Sequence, residues 1–495
     1  MSLIQVQHLT FGYEGSYELV FDDISFSLDT SFKTALIGRN ARGKTTLLKL
    51  LMKEYDYQGQ IIMSEACSYF PYTIKDPQLL TIDICYEICP TLEQWELEKE
   101  LHLLDIDGLD VFYRPFDTLS YGEQTKVLLA ILFLRKNSFL LIDEPTNHLD
   151  QNSRERIAKY LQRQKGFLLV SHDRHFIDSC CDHVMAINPT TIDIVNGNFS
   201  SWYNDKTKRD EREMMLNKKL KKDIVKMEKS KQQKENWGHQ IEKSKRGAAD
   251  KGYVGHMAAK MMKRSKNIEK RQIQAIEEKK KLLKDIEEYD DLKINCLKYF
   301  QKQLIQFSHF SLFYQQKTVF QDLSLTICQG DRVLLKGPNG CGKSSLIHFL
   351  LGEKIDHEGD FHCGSQLKIS YVPQDCTFLK GNLNDWIQKY GADQTMVKTL
   401  LRKLGFSRSH FDIALENLSQ GQKKKIMLAI SLATSSHLYI WDEPLNYIDI
   451  FSRIQLENAI LTYQPTLLFV EHDQYFQQTI ATKIMDFQEL VVKQF

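Results

Sequence analysis

Two short stretches carry the residue types needed to hold a polyphosphate. GRNARGKTT runs from 38 to 46 and GPNGCGKSS from 337 to 345, and both fit the spacing G-x-x-x-x-G-K-[ST]. In such a loop the backbone N–H groups and the start of the following helix face phosphate oxygens. Lys44 and Lys343 are placed to reach the β/γ oxygens, and Thr45 and Ser344 offer a hydroxyl to Mg²⁺. Gly38, Asn40, Gly43 and Thr46 complete the first loop; Gly337, Asn339, Gly340, Gly342 and Ser345 complete the second. A single match could be a chance glycine turn, but a chance turn does not come twice with the same companions.

Those companions are acids and histidines. Asp143 and Asp442 end apolar runs, where a magnesium-orienting carboxylate belongs. Glu144 and Glu443 follow directly and are candidates to polarise an attacking water. Two acids at a strand end could be only a polar terminus; lying 100 residues after each loop lysine favours the catalytic reading. His172 and His472 close a later strand, placed to sense a γ-phosphate. Tyr13 in FGY and Tyr314 in LFY precede each loop; either ring could stack on adenine or be an ordinary core tyrosine.

These residues are positioned by a repeat. Lys44 and Lys343 stand 299 residues apart, and so do LSYGE (119–123) and LSQGQ (418–422), and LLIDEP (140–145) and YIWDEP (439–444). VSHD and VEHD follow at a separation of 300. Four motifs in one order, twice, mark a duplicated domain of roughly 200 residues. FKTALIG and DRVLLKG read as strands entering the loops, and KTTLLKLLM and KSSLIHFLL as the helices leaving them. SFLLID, HLYIWD, GFLLVSH and TLLFVEH are continuous apolar runs, as in parallel strands buried on both faces. The expected fold class is α/β, with ligands beyond the strand C-termini. The expected domains are 1–200, 201–298 and 299–495.

The insert between the copies is of another kind. From 205 to 290 it holds 26 lysines and arginines against 16 acids, while the rest of the chain has 39 against 48. It contains no proline. Apolar residues recur three and four apart (Leu216, Leu220, Ile224, Met227; later Ile276, Leu283, Ile286), which predicts two long helices folded back on each other. SKRGAADKGYVGH (244–256) is the expected turn between them. Helices of about 35 residues would reach roughly 50 Å. A basic segment between acidic blocks points to a polyanionic partner; the bland alternative is a solvated charged linker.

Composition bounds the rest. The chain has 495 residues, 42% apolar and 26% charged, enough to bury a core in two or three domains. No apolar run is long enough to span a bilayer, and the first ten residues carry no secretory pattern. Ten scattered cysteines with no C-x-x-C read as free thiols in a reducing, cytoplasmic setting.

The set G-x-x-x-x-G-K-[ST], LSxGE/Q, strand–DEP and strand–HD resembles the ATP-binding cassette ATPases. Tandem cassettes, DEPTNHLD (143–150) and a charged helical linker resemble the ABC-F branch, which acts on ribosomes. GRN-RGKTTLL, RPF-TLS-GE-TKVLLA, MKRSK (262–266) and YIWDEPLNY are similar to the Lsa-type antibiotic-resistance proteins. The resemblance implies two tandem cassettes joined by a long α-helical hairpin linker, with no membrane partner and no DNA. It implies a monomer whose cassettes pair head to tail over two ATP molecules. One site would use Tyr13, Lys44, Thr45, Asp143, Glu144 and His172, completed by Ser419 and Gly421. The other would use Tyr314, Lys343, Ser344, Gln374, Asp442, Glu443 and His472, completed by Ser120 and Gly122.

Two positions depart from the family pattern. Ala41 replaces a glycine, and Tyr72 in YFPYT stands where YVPQD has Gln374. Both fall in the first cassette, so its site is expected to bind ATP and hydrolyse it more slowly. The resemblance further implies binding in the 50S tRNA exit (E) site, with the linker directed at the peptidyl-transferase centre, rRNA and the P-site tRNA. Tyr253 and His256 could stack on bases there or pack locally. The drugs implied are lincosamides, streptogramin A compounds and pleuromutilins. A housekeeping ABC-F translation factor shares every catalytic motif. A transporter's ATPase subunit offers no use for the charged insert, and DNA-maintenance ATPases have split cassettes or zinc modules that this chain lacks.

Overall fold

A computed structural model describes residues 2–14, 19–40, 42–147, 149, 151–188, 191–244, 291–314, 317–338, 340–411 and 413–487. The chain forms two compact units: 1–200 with 289–495, and 201–288.

In the first cassette, β1 (Leu3–Phe11), β2 (Phe21–Asp29), β3 (Lys33–Ile37), α1 (Lys44–Leu51), β4 (Gln58–Ile62) and β5 (Ala66–Phe70) come first. A helical lobe follows: α2 (Thr81–Ile88), α3 (Gln94–Leu103) and α4 (Gly108–Phe112). Then come α5 (Tyr121–Leu134), β6 (Ser138–Asp143), α6 (Gln151–Arg163), β7 (Phe167–Val170), α7 (Arg174–Cys180), β8 (His183–Ile187) and β9 (Ile192–Asn196). An antiparallel sheet of order β2-β1-β4 lies beside a six-stranded sheet of order β5-β6-β7-β3-β8-β9, parallel except for β9.

The helix α8 (Phe199–Ser244) spans 46 residues, about 70 Å at 1.5 Å per residue. On it Leu216 is exposed and Ile224 is buried. The expected turn at 244–256 falls almost entirely outside the described residues, as does the expected second helix with Ile276, Leu283 and Ile286.

The second cassette repeats the plan with β10 (Gln303–Tyr314), β11 (Lys317–Cys328), β12 (Arg332–Lys336), α9 (Lys343–Leu350), β13 (Asp356–Cys363) and β14 (Ile369–Val372). It continues with α10 (Leu383–Lys389), α11 (Gln394–Lys403), α12 (Gln420–Ala433), β15 (Leu438–Asp442), α13 (Ile450–Tyr463), β16 (Leu467–Val470), α14 (Gln474–Ile480) and β17 (Lys483–Asp486). Its parallel sheet has the order β14-β15-β16-β12-β17. Leu292 and Ile294, inside the range 201–298 expected for the linker, are buried in this cassette's core, so the second cassette's packing begins before 299.

The strand order is what assembles the chemistry. Val170 on β7 pairs with Leu36 on β3 and with Asp143 on β6. The loop after β3, the acids after β6 and the histidine after β7 therefore leave one edge of one sheet. β16 does the same between β12 and β15 in the second copy. β6 and β15 are buried almost throughout, each large apolar side chain contributing about 2 kcal/mol, so the reactive ends are rigidly held.

Two glycines set the loop-to-helix turn. Gly43 and Gly342 precede α1 and α9 at φ 85° and 98°. A Cβ there would stand 2.6 Å from Val20 Cγ1 or 2.4 Å from Val319 Cγ1. Conformation and space both demand glycine.

Candidate active site

Lys44 is buried and its ammonium folds back over its own loop, donating to Gly38 O (2.8 Å) and Arg39 O (3.2 Å). Lys343 does the same to Gly337 O (2.8 Å) and Pro338 O (2.7 Å). The hydroxyls of Thr45 and Ser344 donate to Asp143 Oδ2 (2.8 Å) and Asp442 Oδ2 (3.3 Å). Hydroxyl and carboxylate oxygens side by side, beyond a phosphate loop, are the donor set a hard divalent cation prefers. Tyr69 also donates to Asp143 Oδ2, at 3.0 Å. Burial raises the Asp143 carboxyl, and burial together with neighbouring Glu443 pushes Asp442 up to about 6.

Glu144 and Glu443 both sit in the left-handed region, at φ 51° and 46°. Each N–H donates across to the neighbouring strand, to Val170 O (2.9 Å) or Val470 O (3.0 Å). A non-glycine residue pays roughly 1 kcal/mol or more for that conformation. The twist turns each glutamate back to the strand ends, where His172 Nε2 lies 3.2 Å from Glu144 Oε1 and His472 Nε2 lies 3.6 Å from Glu443 Oε1.

The two glutamates differ in support. Burial acts to raise the Glu443 carboxyl, but the nearby His472 and Gln374 side chains and a hydrogen bond from Asn446 Nδ2 at 2.6 Å outweigh it and hold it at about 2. Glu144 Oε1 is buried and accepts no hydrogen bond, its histidine neighbour being close but poorly aimed. Burial and then Asp143 push Glu144 up to about 8. Burial and Lys44 hold His172 well below the usual imidazole range. Half-buried Tyr72 occupies the Gln374 position in this copy.

The signature motifs are built as capping boxes. Ser120 caps α5 and Ser419 caps α12, each accepting from the N–H three residues on, while Glu123 and Gln422 return a bond to the serine N–H. The boxes leave the N-terminal ends of α5 and α12, the helix ends that favour an anion, at the signature serine and glycine.

A cavity of about 300 Å³ brings Glu144, Asn147, His172 and Asn40 of the first cassette together with Ser419, Gly421 and Lys425 of the second. Asn40 Nδ2 donates to Tyr447 O across the cassette boundary at 2.9 Å. A Cβ on Gly421 would stand 3.4 Å from that same amide. Gly122 has Ser153 and Leu149 of its own cassette as neighbours.

Tyr13 is partly packed and partly exposed. It packs edge-on to Phe11 and Tyr55, and its hydroxyl bonds Thr46 Oγ1 at 2.7 Å, yet 44% of it is exposed. Tyr314 is 52% exposed. Gly340 has φ 81°, the left-handed conformation in question at Ala41; Ala41 and Asn339 lie outside the described residues. Sequence reading passed over Lys424, Lys425, Asp449, Arg174 and Glu457, all buried and paired. The signal was there in part: QTK after the first signature motif becomes KKK after the second.

Comparison with known proteins places this geometry. The ABC transporter family pattern matches residues 21–147 and 320–446, one match per cassette. The chain is 30% identical to the ATP-binding protein Uup of Buchnera aphidicola (subsp. Schizaphis graminum), over 98% of this chain and 80% of that one. It is 28% identical to the ribosome protection protein VmlR of Bacillus subtilis, over 96% and 85%. It is 24% identical to ABC transporter F family member 5 of Arabidopsis thaliana, over 98% and 75%. Among solved structures it shares its fold with the archaeal ribosome recycling factor aABCE1, solved in complex with a ribosomal stalk protein (TM-score 0.62, 18% identity, 97% of this chain and 87% of that one). The chain belongs to the ATP-binding cassette family: it carries two cassettes, binds ATP and is an ATPase. Its relatives include proteins of the F branch. No described helix is long and apolar enough to cross a membrane.

Proposed function

We propose that this protein is a cytoplasmic ABC-F ATPase that binds the bacterial ribosome in its ATP-bound state and protects it from lincosamides, streptogramin A compounds and pleuromutilins. The observation that carries the clamp is the cavity joining Glu144, His172 and Asn40 to Ser419 and Gly421 of the other cassette. Support for the ribosome comes from the relative VmlR, matched over nearly the whole chain, and from the basic excess of the linker, which suits an RNA surface. The first cassette spans about 1–200, the linker starts at 201, and the second cassette runs to 495 with a core that already takes in Leu292 and Ile294. The linker segment at about 245–256 is the part that meets rRNA and the P-site tRNA from the E site.

Each loop binds one ATP through its backbone N–H groups and Lys44 or Lys343. Thr45 and Asp143, or Ser344, Asp442 and Gln374, would hold Mg²⁺, which when bound would offset charge on the β/γ oxygens. Glu144 and Glu443 orient and deprotonate the attacking water, and His172 and His472 hold the γ-phosphate. Ser419 and Gly421 close the first site, Ser120 and Gly122 the second. Glu443 accepts a hydrogen bond from Asn446 and is held low, whereas Glu144 Oε1 is unsatisfied and its carboxyl is raised, so the second site is the faster one.

Growth inhibition of a susceptible bacterium expressing the chain tests the drug reading: protection is expected against lincomycin and tiamulin and not against erythromycin. Protection against none of them would favour a housekeeping translation factor. Co-sedimentation of the Glu144→Gln/Glu443→Gln protein with ribosomes should depend on ATP; equal pelleting with and without nucleotide would overturn the clamp.

A further inference from the structure

Lys424 lies on α12, five residues after Ser419, and is 2% exposed. Its Nζ donates to three main-chain oxygens: Pro373 O (2.7 Å), Gln374 O (3.2 Å) and Asp442 O (3.1 Å). One ammonium thus pins the loop that carries Gln374 to the end of β15, where Asp442 and Glu443 begin. Burying a cation among neutral carbonyls is costly, by several kcal/mol before compensation. The fold does not need it: the repeat puts Thr125 at the same place on α5, and a threonine hydroxyl, one bond beyond Cβ, cannot span that gap.

The placement of α12 gives the lysine its meaning. The start of this helix belongs to the first site, with Gly421 beside Asn40. The adjacent Lys425 lines the first-site cavity and bonds Asp449 Oδ2 at 2.6 Å. Neighbouring residues on a helix point about 100° apart, so Lys425 faces the first site while Lys424 grips the second. In the first cassette no lysine occupies the corresponding position.

We propose that Lys424 is a positioning residue for the second ATP site: it fixes Gln374 against Asp442 and Glu443 and ties them to the helix that closes the first site. The inference rests on the two-site reading given above. Its expected effect falls on hydrolysis at the second site, because the oxygens it holds belong to Pro373, Gln374 and Asp442.

The test uses the full chain and single-turnover ATP hydrolysis, with each site isolated by a glutamine at the other site's glutamate. Hydrolysis by Glu144→Gln alone tests the site assignment; the further change on adding a Lys424 variant tests the lysine. In the Glu144→Gln protein, Lys424→Met should lower kcat at least tenfold and leave KM within threefold. In the Glu443→Gln protein the same change should leave the remaining rate within twofold. Lys424→Arg, which keeps charge and reach, should restore most of the loss. Lys424→Gln is read in the same assay should the methionine variant not fold. With Gln374→Ala already present, Lys424→Met should cost less than threefold more. Equal losses in both backgrounds, a rise in KM in step with the fall in kcat, or full additivity with Gln374→Ala would overturn the proposal.

Discussion

Breaking the Arg174–Glu457 pair should cost far more than removing it. Arg174 on α7 and Glu457 on α13 join the cassettes through side chains only 8% and 5% exposed. The guanidinium also lies 4.1 Å over the Tyr475 ring, and its Nε has no partner. The internal repeat supplies a natural control. The mirror positions hold Gln474 and Ala158; there Gln474 bonds Glu155 at 2.8 Å and a cavity of about 420 Å³ opens. Glu457→Ala strands a buried cation, which costs about 3–5 kcal/mol. Arg174→Gln with Glu457→Ala copies the mirror side and removes both charges, leaving a loss of about 1–2 kcal/mol from the vacated packing. At about 2–4 °C per kcal/mol, the single variant should melt about 6 °C or more below the parent and the double variant should recover most of that. Melting of the four proteins of the cycle without nucleotide measures it, with a coupling of at least about 2 kcal/mol expected. Additive losses, or a single-variant cost below about 1 kcal/mol, would refute the buried-charge reasoning.

Gly421→Ala should impair closure of the first site, because its Cβ would stand 2.6 Å from Tyr447 O, a main-chain atom that cannot rotate away. Gly122→Ala meets Ser153 Oγ at 3.4 Å and Leu149 Cδ2 at 3.8 Å and should be the milder change; single-turnover rates that fall alike would count against it. Glu443→Gln should remove most of the total hydrolysis and Glu144→Gln the smaller share, and equal residual rates would dispose of the asymmetry. Asp449 predicts an acid transition. Burial acts to raise its carboxyl, but Lys425 at 2.6 Å and the Ser452 N–H hold it below the usual range. A folded value below the unfolded one of about 3.9 gives stability that is complete above that pH and lost as pH falls through the folded value. The stability gap between the parent and Asp449→Asn, about 3 kcal/mol at pH 7 and read from melting temperatures, should therefore narrow below about pH 4; a gap constant from pH 7 to 3 would contradict this.

Much of the architecture is legible because it is local. The G-x-x-x-x-G-K loops announce themselves through φ and steric demands at Gly43 and Gly342 that glycine alone meets. The buried parallel strands announce themselves as unbroken apolar runs such as SFLLID. A 299-residue offset is enough to reveal two copies, and the residue types at the strand ends are enough to name acids, hydroxyls and lysines for phosphate chemistry. What no window of sequence contains is how residues hundreds of positions apart share one space. The bond from Asn40 to Tyr447, the Arg174–Glu457 pair and the grip of Lys424 on Pro373, Gln374 and Asp442 depend on cassette pairing and helix placement. So does the unequal support of Glu144 and Glu443, which have the same immediate neighbours in sequence, Asp before and Pro after. Burial and hydrogen-bond supply are properties of the packed chain, and they decide which of two identical side chains ionises the more readily.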